Sequence, residues 1–213
     1  MKRFQGVTVR LAAAVFGAVT LASQTLLLRR FLWRFESTEL GVALFLSSWL
    51  FGAGLGAAAA ATPTGRCLVR RLATHVWLPP LLCSVLYLGH YAVIGNLRVW
   101  LGVPAYQAFP LLHLALGCLL ANIPFCFAIG WGVPAFCLAL ERLDLSASEA
   151  FASEALGAAL CGALVTALLA AGVAPDPRDA AEWHRFFPQA DSAPGRFESG
   201  GGTLIWILMV VAG

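Results

Sequence analysis

Between residues 11 and 173 the chain is a series of long apolar runs parted by short charged segments. The most constraining stretch is 23–57, SQTLLLRRFLWRFESTELGVALFLSSWLFGAGLGA. Two apolar runs meet there across Arg29, Arg30, Arg34, Glu36 and Glu39. A membrane span needs about 20 apolar residues, within a range of about 17–25. In hydrocarbon each backbone amide and carbonyl must be satisfied within the protein, and a helix does so within one segment. The expected fold is all-α, a polytopic transmembrane helical bundle of five spans and a partial sixth.

Composition agrees. Of 213 residues, 60% are hydrophobic and 12% charged, and the mean hydropathy is +0.80. A soluble domain carries about 25% charged residues. Too little polar surface is left here to cover a water-soluble globule. The net charge is +3. The basic residues cluster at the ends of apolar runs, so no nucleic-acid surface is expected. The partners expected are a lipid bilayer and another membrane chain or a missing C-terminal half. Cys67, Cys83, Cys118, Cys126, Cys137 and Cys161 form no CxxC pair. They read as small hydrophobes, not as a zinc site or a disulfide framework.

The spans are expected at about 11–28, 40–61, 76–94, 108–130 and 151–173. The first could pass for a signal peptide, but no small-x-small cleavage site precedes the charges, so it reads as a retained span. Residues 62–75 read as a loop with Arg66, Arg70 and Arg71, and 96–106 as a loop with Arg98. The apolar run 108–140 is too long for one straight span. Asn122, Pro124, Gly130 and Pro134 are its candidate break points, since an internal proline removes a hydrogen bond and kinks a helix. A break near Gly130 is expected, followed by a short continuation to 140. Residues 174–202 form a polar loop, in which DAAEWHRFF suits either an amphipathic helix on the membrane or a solvated loop. Residues 203–213 would cover roughly 16 Å of a hydrocarbon core about 30 Å thick, as a truncated sixth span. Basic residues divide evenly between the two sides. With Arg29 and Arg30 counted as half-buried, the N-terminus is placed inside.

The run Gly52-Ala53-Gly54-Leu55-Gly56 imitates a nucleotide-binding loop, but such a loop must follow a strand. Inside a span, small residues at this spacing let helices approach closely. Arg29, Arg30, Glu36 and Glu39 form either an interfacial turn whose arginines reach for headgroups or an internal ion pair. In the second case Arg29 or Arg30 would meet Glu39 or Glu154. Gln24, one turn and more before Arg29, could hydrogen-bond across helices. His90 and His113 would share a depth on antiparallel spans, a geometry able to hold a b-type haem. The alternative is two ordinary histidines near an interface. No catalytic residue is expected: Ser47, Ser48 and Ser153 have no neighbouring histidine in the sequence.

Three stretches together resemble the membrane domain of the spermidine synthase-like membrane proteins, which join a transporter-like membrane part to a spermidine synthase-like part. The first is the 23–57 stretch, through Gln24, Arg29, Glu39 and the glycines 52–56. The second is IPFCFAIGWGVPAFCLAL, through Pro124, Gly130 and Pro134. The third is FASEALGAALCGALVTALL, through Glu154, Gly157 and Gly162. Arg30 and Thr38 depart from the pattern, which often has Glu and Asn there. The resemblance covers about residues 8–173. It implies a membrane module acting as anchor, complex subunit or transporter-like half, in a bacterial inner membrane. The aminopropyltransferase part has no counterpart in this sequence, so the resemblance implies no enzyme activity. The alternative reading is a redox membrane subunit with haem at His90 and His113.

Overall fold

The structure is a computed structural model that describes residues 2–35, 39–103 and 109–170. Among the described residues it is all-helical: α1 (Lys2–Arg34), α2 (Glu39–Ala60), α3 (Pro63–Leu72), α4 (Leu78–Trp100), α5 (Leu111–Glu141) and α6 (Ser148–Ala170). All but α3 are long and apolar enough to cross a membrane. The expected polar loop 174–202 and partial span 203–213 lie outside the described residues.

Helices α1, α4 and α5 outrun the expected spans. The first stretch apolar enough to cross is Phe4–Leu32, not 11–28. Nothing in the flanks stops α1: its polar residues are moderate to good helix formers. The fourth helix continues past 94 through Arg98 to Trp100. Gly102 then takes a positive φ of 64°. Its amide bonds to Val99 O, and the amide of Val103 bonds to Arg98 O. This paired closure is the Schellman motif, and glycine supplies the left-handed residue at no steric cost. Helix α5 closes in the same manner. Asp144, at φ 62°, bonds to Glu141 O, and Leu145 bonds to Leu140 O.

The segment read as the loop 62–75 holds α3, a short amphipathic helix. Thr62 joins it to α2 by bonding in both directions. Its hydroxyl donates to Ala59 O at 2.7 Å and accepts from the amide of Gly65 at 3.0 Å. The first bond satisfies a carbonyl at the end of α2 and the second caps α3. Pro63 follows at the first helical position, where its missing N–H costs nothing. Gly65, Val69 and Leu72 face inward, and Ala60, Val69, Leu72 and Ala135 form a small apolar cluster under the helix.

The expected break in the fourth run is absent. Helix α5 runs from Leu111 to Glu141 with Pro124 and Pro134 inside it. Each proline removes one donor, but in hydrocarbon every further unmade backbone bond costs several kcal/mol. Neighbouring helices also grip this segment. Gly130 lies against the Ala53 carbonyl and Gly56 of α2, and Gly132 lies against the Phe16 ring of α1. The small residues there serve contact rather than interruption.

Two close helix pairs organise the bundle: α2 with α5, and α1 with α6. In the first, Gly52 and Gly56 line the buried face of α2, and a Cβ on Gly56 would strike the Phe127 carbonyl. Gly54 faces open space. The glycine ladder is thus an i, i+4 packing pair with one outward member. In the second, a Cβ on Gly17 would strike the carbonyl of Glu154, and one on Gly157 that of Ala14. Close backbone approach is what such residues permit in membranes. Helix α4 joins the two pairs through contacts with α1 and α5. The core between them is aromatic. Phe31 stacks on Phe35 at 4.7 Å, Phe31 meets Phe45 at 5.2 Å, and Phe16 meets Phe136 edge-on at 5.4 Å.

Candidate functional site

The bundle interior holds few polar side chains. The most connected set sits where α2, α4 and α5 meet. Asn122 is fully buried. Its Nδ2 donates to Phe45 O at 3.0 Å and to Ser48 Oγ at 2.6 Å. Ser48 donates in turn to Phe45 O at 2.9 Å. These bonds fix the amide orientation, because a flipped Asn122 would set its oxygen against the Phe45 carbonyl. Asn122 was expected as a break point of α5. It is instead the polar tie between α5 and α2.

His90 of α4 lies beside Asn122 and is only 4% exposed. Its ring stacks on Trp49 at 6.4 Å and meets Phe125 at 5.5 Å. Neither ring nitrogen has a well-formed hydrogen bond among the described residues, and the Asn122 Oδ1 is likewise unbonded. An imidazole has a donor and an acceptor, or two donors when charged. Leaving such groups unmade in an apolar setting costs roughly 2–7 kcal/mol. A titratable side chain held inside a membrane bundle with only a poorly formed contact to Asn122 is a functional-site candidate by default. Sequence reasoning missed Ser48, which had no histidine near it in the chain. Its link to His90 runs through Asn122, between residues far apart in sequence.

His113 is not part of this set. It lies exposed near the start of α5. His90 is level with Asn122 and Phe125, about 14 Å or more further down the α5 axis at 1.5 Å per residue. The two histidines do not share a depth because α4 extends past the expected end at 94, which moves His90 deeper. Two ligands to one haem iron must lie on opposite sides of a single metal atom. This pair does not fit that geometry, and the haem reading loses its ligands.

The charged set lies only partly within the described residues. Arg29 is exposed and Arg30 is half-buried. The Arg30 guanidinium lies over the Tyr91 ring of α4, with its carbon 3.6 Å from the centroid. Gly95 makes the room: a Cβ there would be 2.5 Å from Arg30 Nη2. Glu154 is not the partner of either arginine. It is level with Gly17 on α1, about 18 Å from Arg29 along that helix. The α1–α6 ion pair is Arg10 with Glu149, a partly exposed bridge at the other end of the bundle. Glu39 is exposed in the first turn of α2, where a carboxylate suits the helix dipole. Gln24 is half-buried and makes no hydrogen bond to another helix among the described residues. The side chain of Arg34 and residue Glu36 lie outside the described residues. No group of three or more His, Cys, Asp or Glu suited to a metal ion occurs among the described residues.

The fold and the buried polar set define a polytopic helical membrane protein. No protein-family model, curated protein or solved structure matches the chain.

Proposed function

We propose that the chain is a non-enzymatic integral membrane module, similar to the membrane part of spermidine synthase-like proteins, and that it works as a transporter-like half. The observation that carries this reading is the buried imidazole of His90, held only by a poorly formed contact with Asn122 beside the Asn122–Ser48 tie. A passive anchor gains nothing from such a group, which lowers stability unless something else binds it. Helices whose polar groups converge within a bundle are where membrane proteins move protons and polar solutes. The reading does not rest on a broken helix, since α5 is continuous.

The candidate substrate, a polyamine, comes from the resemblance. Labelled spermidine uptake into proteoliposomes tests it. Vesicles with the wild-type chain should accumulate more label than protein-free vesicles, and His90→Ala should bring uptake to the protein-free level. Uptake no greater than in protein-free vesicles overturns the transport role. The anchor and subunit roles then stand, and co-purification with a second membrane chain tests the latter.

A further inference from the structure

We propose that α3 and the start of α4 form a binding site for an anionic glycerophospholipid, with the phosphate at Arg70 and Arg71 and the acyl chains along the outer face of α4.

Helix α3 places two different chemistries on its two sides. Gly65, Val69 and Leu72 are buried against the bundle, while Arg66, Arg70 and Arg71 are exposed on the other side. No acidic residue occurs on α3 to neutralise them. Arg66 is partly committed, since its Nε donates to Ala61 O at 3.0 Å. Arg70 and Arg71 stand in the last turn of α3, beside the connection to α4. That connection is built of successive turns, with Thr74 bonded to Arg71 O, His75 to Leu72 O and Leu78 to His75 O.

The position of α3 sets the depth of its charges. It follows the end of one span and precedes the start of the next, so Arg70 and Arg71 stand at headgroup level. Trp77, 39% exposed, lies just below them, at the depth where membrane proteins concentrate tryptophan. From there Leu78, Leu81, Leu82 and Val85 share one face of α4, and each is more than 40% exposed. Next along that face is Gly89, with open space in place of a side chain. The surface thus runs from fixed cations through an aromatic ring to an apolar strip. A lipid with a net negative headgroup has the same order of groups. Guanidinium groups bind phosphate oxygens in paired, charge-assisted hydrogen bonds. A zwitterionic lipid lacks the net charge that would favour it here.

The test uses the full chain in phosphatidylcholine vesicles that contain a little phosphatidylglycerol with a photoactivatable acyl chain. Adducts are mapped by mass spectrometry. Adducts should fall on Leu78–Val85 and be displaced by unlabelled phosphatidylglycerol but not by phosphatidylcholine. The double variant Arg70→Gln, Arg71→Gln should lower them at least about fivefold, given that each basic residue near the surface favours anionic lipid by about 1 kcal/mol. Arg70→Lys, Arg71→Lys should lower the labelling less than the glutamine pair, since the charge remains while the paired hydrogen bonds are lost. For the wild type, 1 M salt should lower it without any substitution, since screening acts over about 3 Å there. Equal displacement by phosphatidylcholine overturns the proposal. So does labelling unchanged by both salt and the glutamine pair.

Discussion

Asn122 on α5 donates one amide hydrogen to Ser48 Oγ on α2, 2.6 Å away, and another to Phe45 O at 3.0 Å. This tie is the polar part of an interface that also holds glycine contacts and the Trp49–Phe125 ring pair. Asn122→Ala should cost about 1 kcal/mol, within the range found for interhelical hydrogen bonds in membranes. Ser48→Ala should cost less, because Phe45 O keeps its bond from Asn122. A double-mutant cycle in mixed-micelle unfolding should give a positive coupling of about 0.6 kcal/mol. Strict additivity would mean that the bond contributes nothing.

The glycines of α2 should divide by face. A Cβ on Gly56 meets the Phe127 carbonyl, and one on Gly130 meets the Ala53 carbonyl. Backbone cannot rotate away as a side chain can. Gly56→Ala and Gly130→Ala should each cost about 1–3 kcal/mol through separation of α2 from α5. Gly54→Ala meets nothing and should be neutral or stabilising by up to about 1 kcal/mol, since alanine is the better helix former. Thermal unfolding in detergent would rank the three variants.

Arg30 over Tyr91 should behave as a cation–π pair. Tyr91→Leu should cost about 0.5–2 kcal/mol, and Tyr91→Phe much less, because the ring face rather than the hydroxyl is used. Gly95→Leu should be as damaging as the loss of the ring, since it occupies the guanidinium site. Comparable losses for Phe and Leu at position 91 would point to the hydroxyl instead.

Gly102 holds a φ of 64° at the end of α4. Gly102→Ala should cost about 1–2 kcal/mol from left-handed strain alone. Gly89, inside the same helix with open space around it, provides the control. Gly89→Ala should not destabilise the fold. A similar drop at both sites would show that the conformation at 102 is not the cause.

Purified protein titrated with haem should show no bis-histidine α-band in its reduced-minus-oxidised spectrum, given the separation of His90 from His113. A band lost in both His90→Ala and His113→Ala would contradict the arrangement of α4 and α5.

The helical class was legible in the chain because membrane solvation leaves few alternatives to a helix. Run length and charge spacing located all five crossing helices. Their ends were harder, because a helix stops where its last carbonyls find partners rather than where hydropathy falls. Gly102 and the Thr62-Pro63 pair were visible signals of that kind. Asp144, in a left-handed position more often held by glycine, was a fainter one. The interior site was least legible. Its members lie on three helices, and facing directions depend on which glycines let which helices approach. Asn122 and the two prolines of α5 signal interruption as residue types, yet α5 runs through all three, and Asn122 is held by α2.

The lengths of the helices have a consequence for the surrounding bilayer. Helix α1 has 33 residues and α5 has 31, whereas α2, α4 and α6 have 22 or 23. At 1.5 Å per residue the first two reach roughly 46–50 Å and the other three about 33–35 Å. The shorter set matches a hydrocarbon layer about 30 Å thick with little tilt. The longer set must lean or project, and each long helix is bound to a short one, α1 to α6 and α5 to α2. In a thicker bilayer the long helices have reserve length and α4, whose two ends both lie among the described residues, does not. Mismatch should therefore be felt first at α4, so bilayer thickness sets which membranes suit this protein.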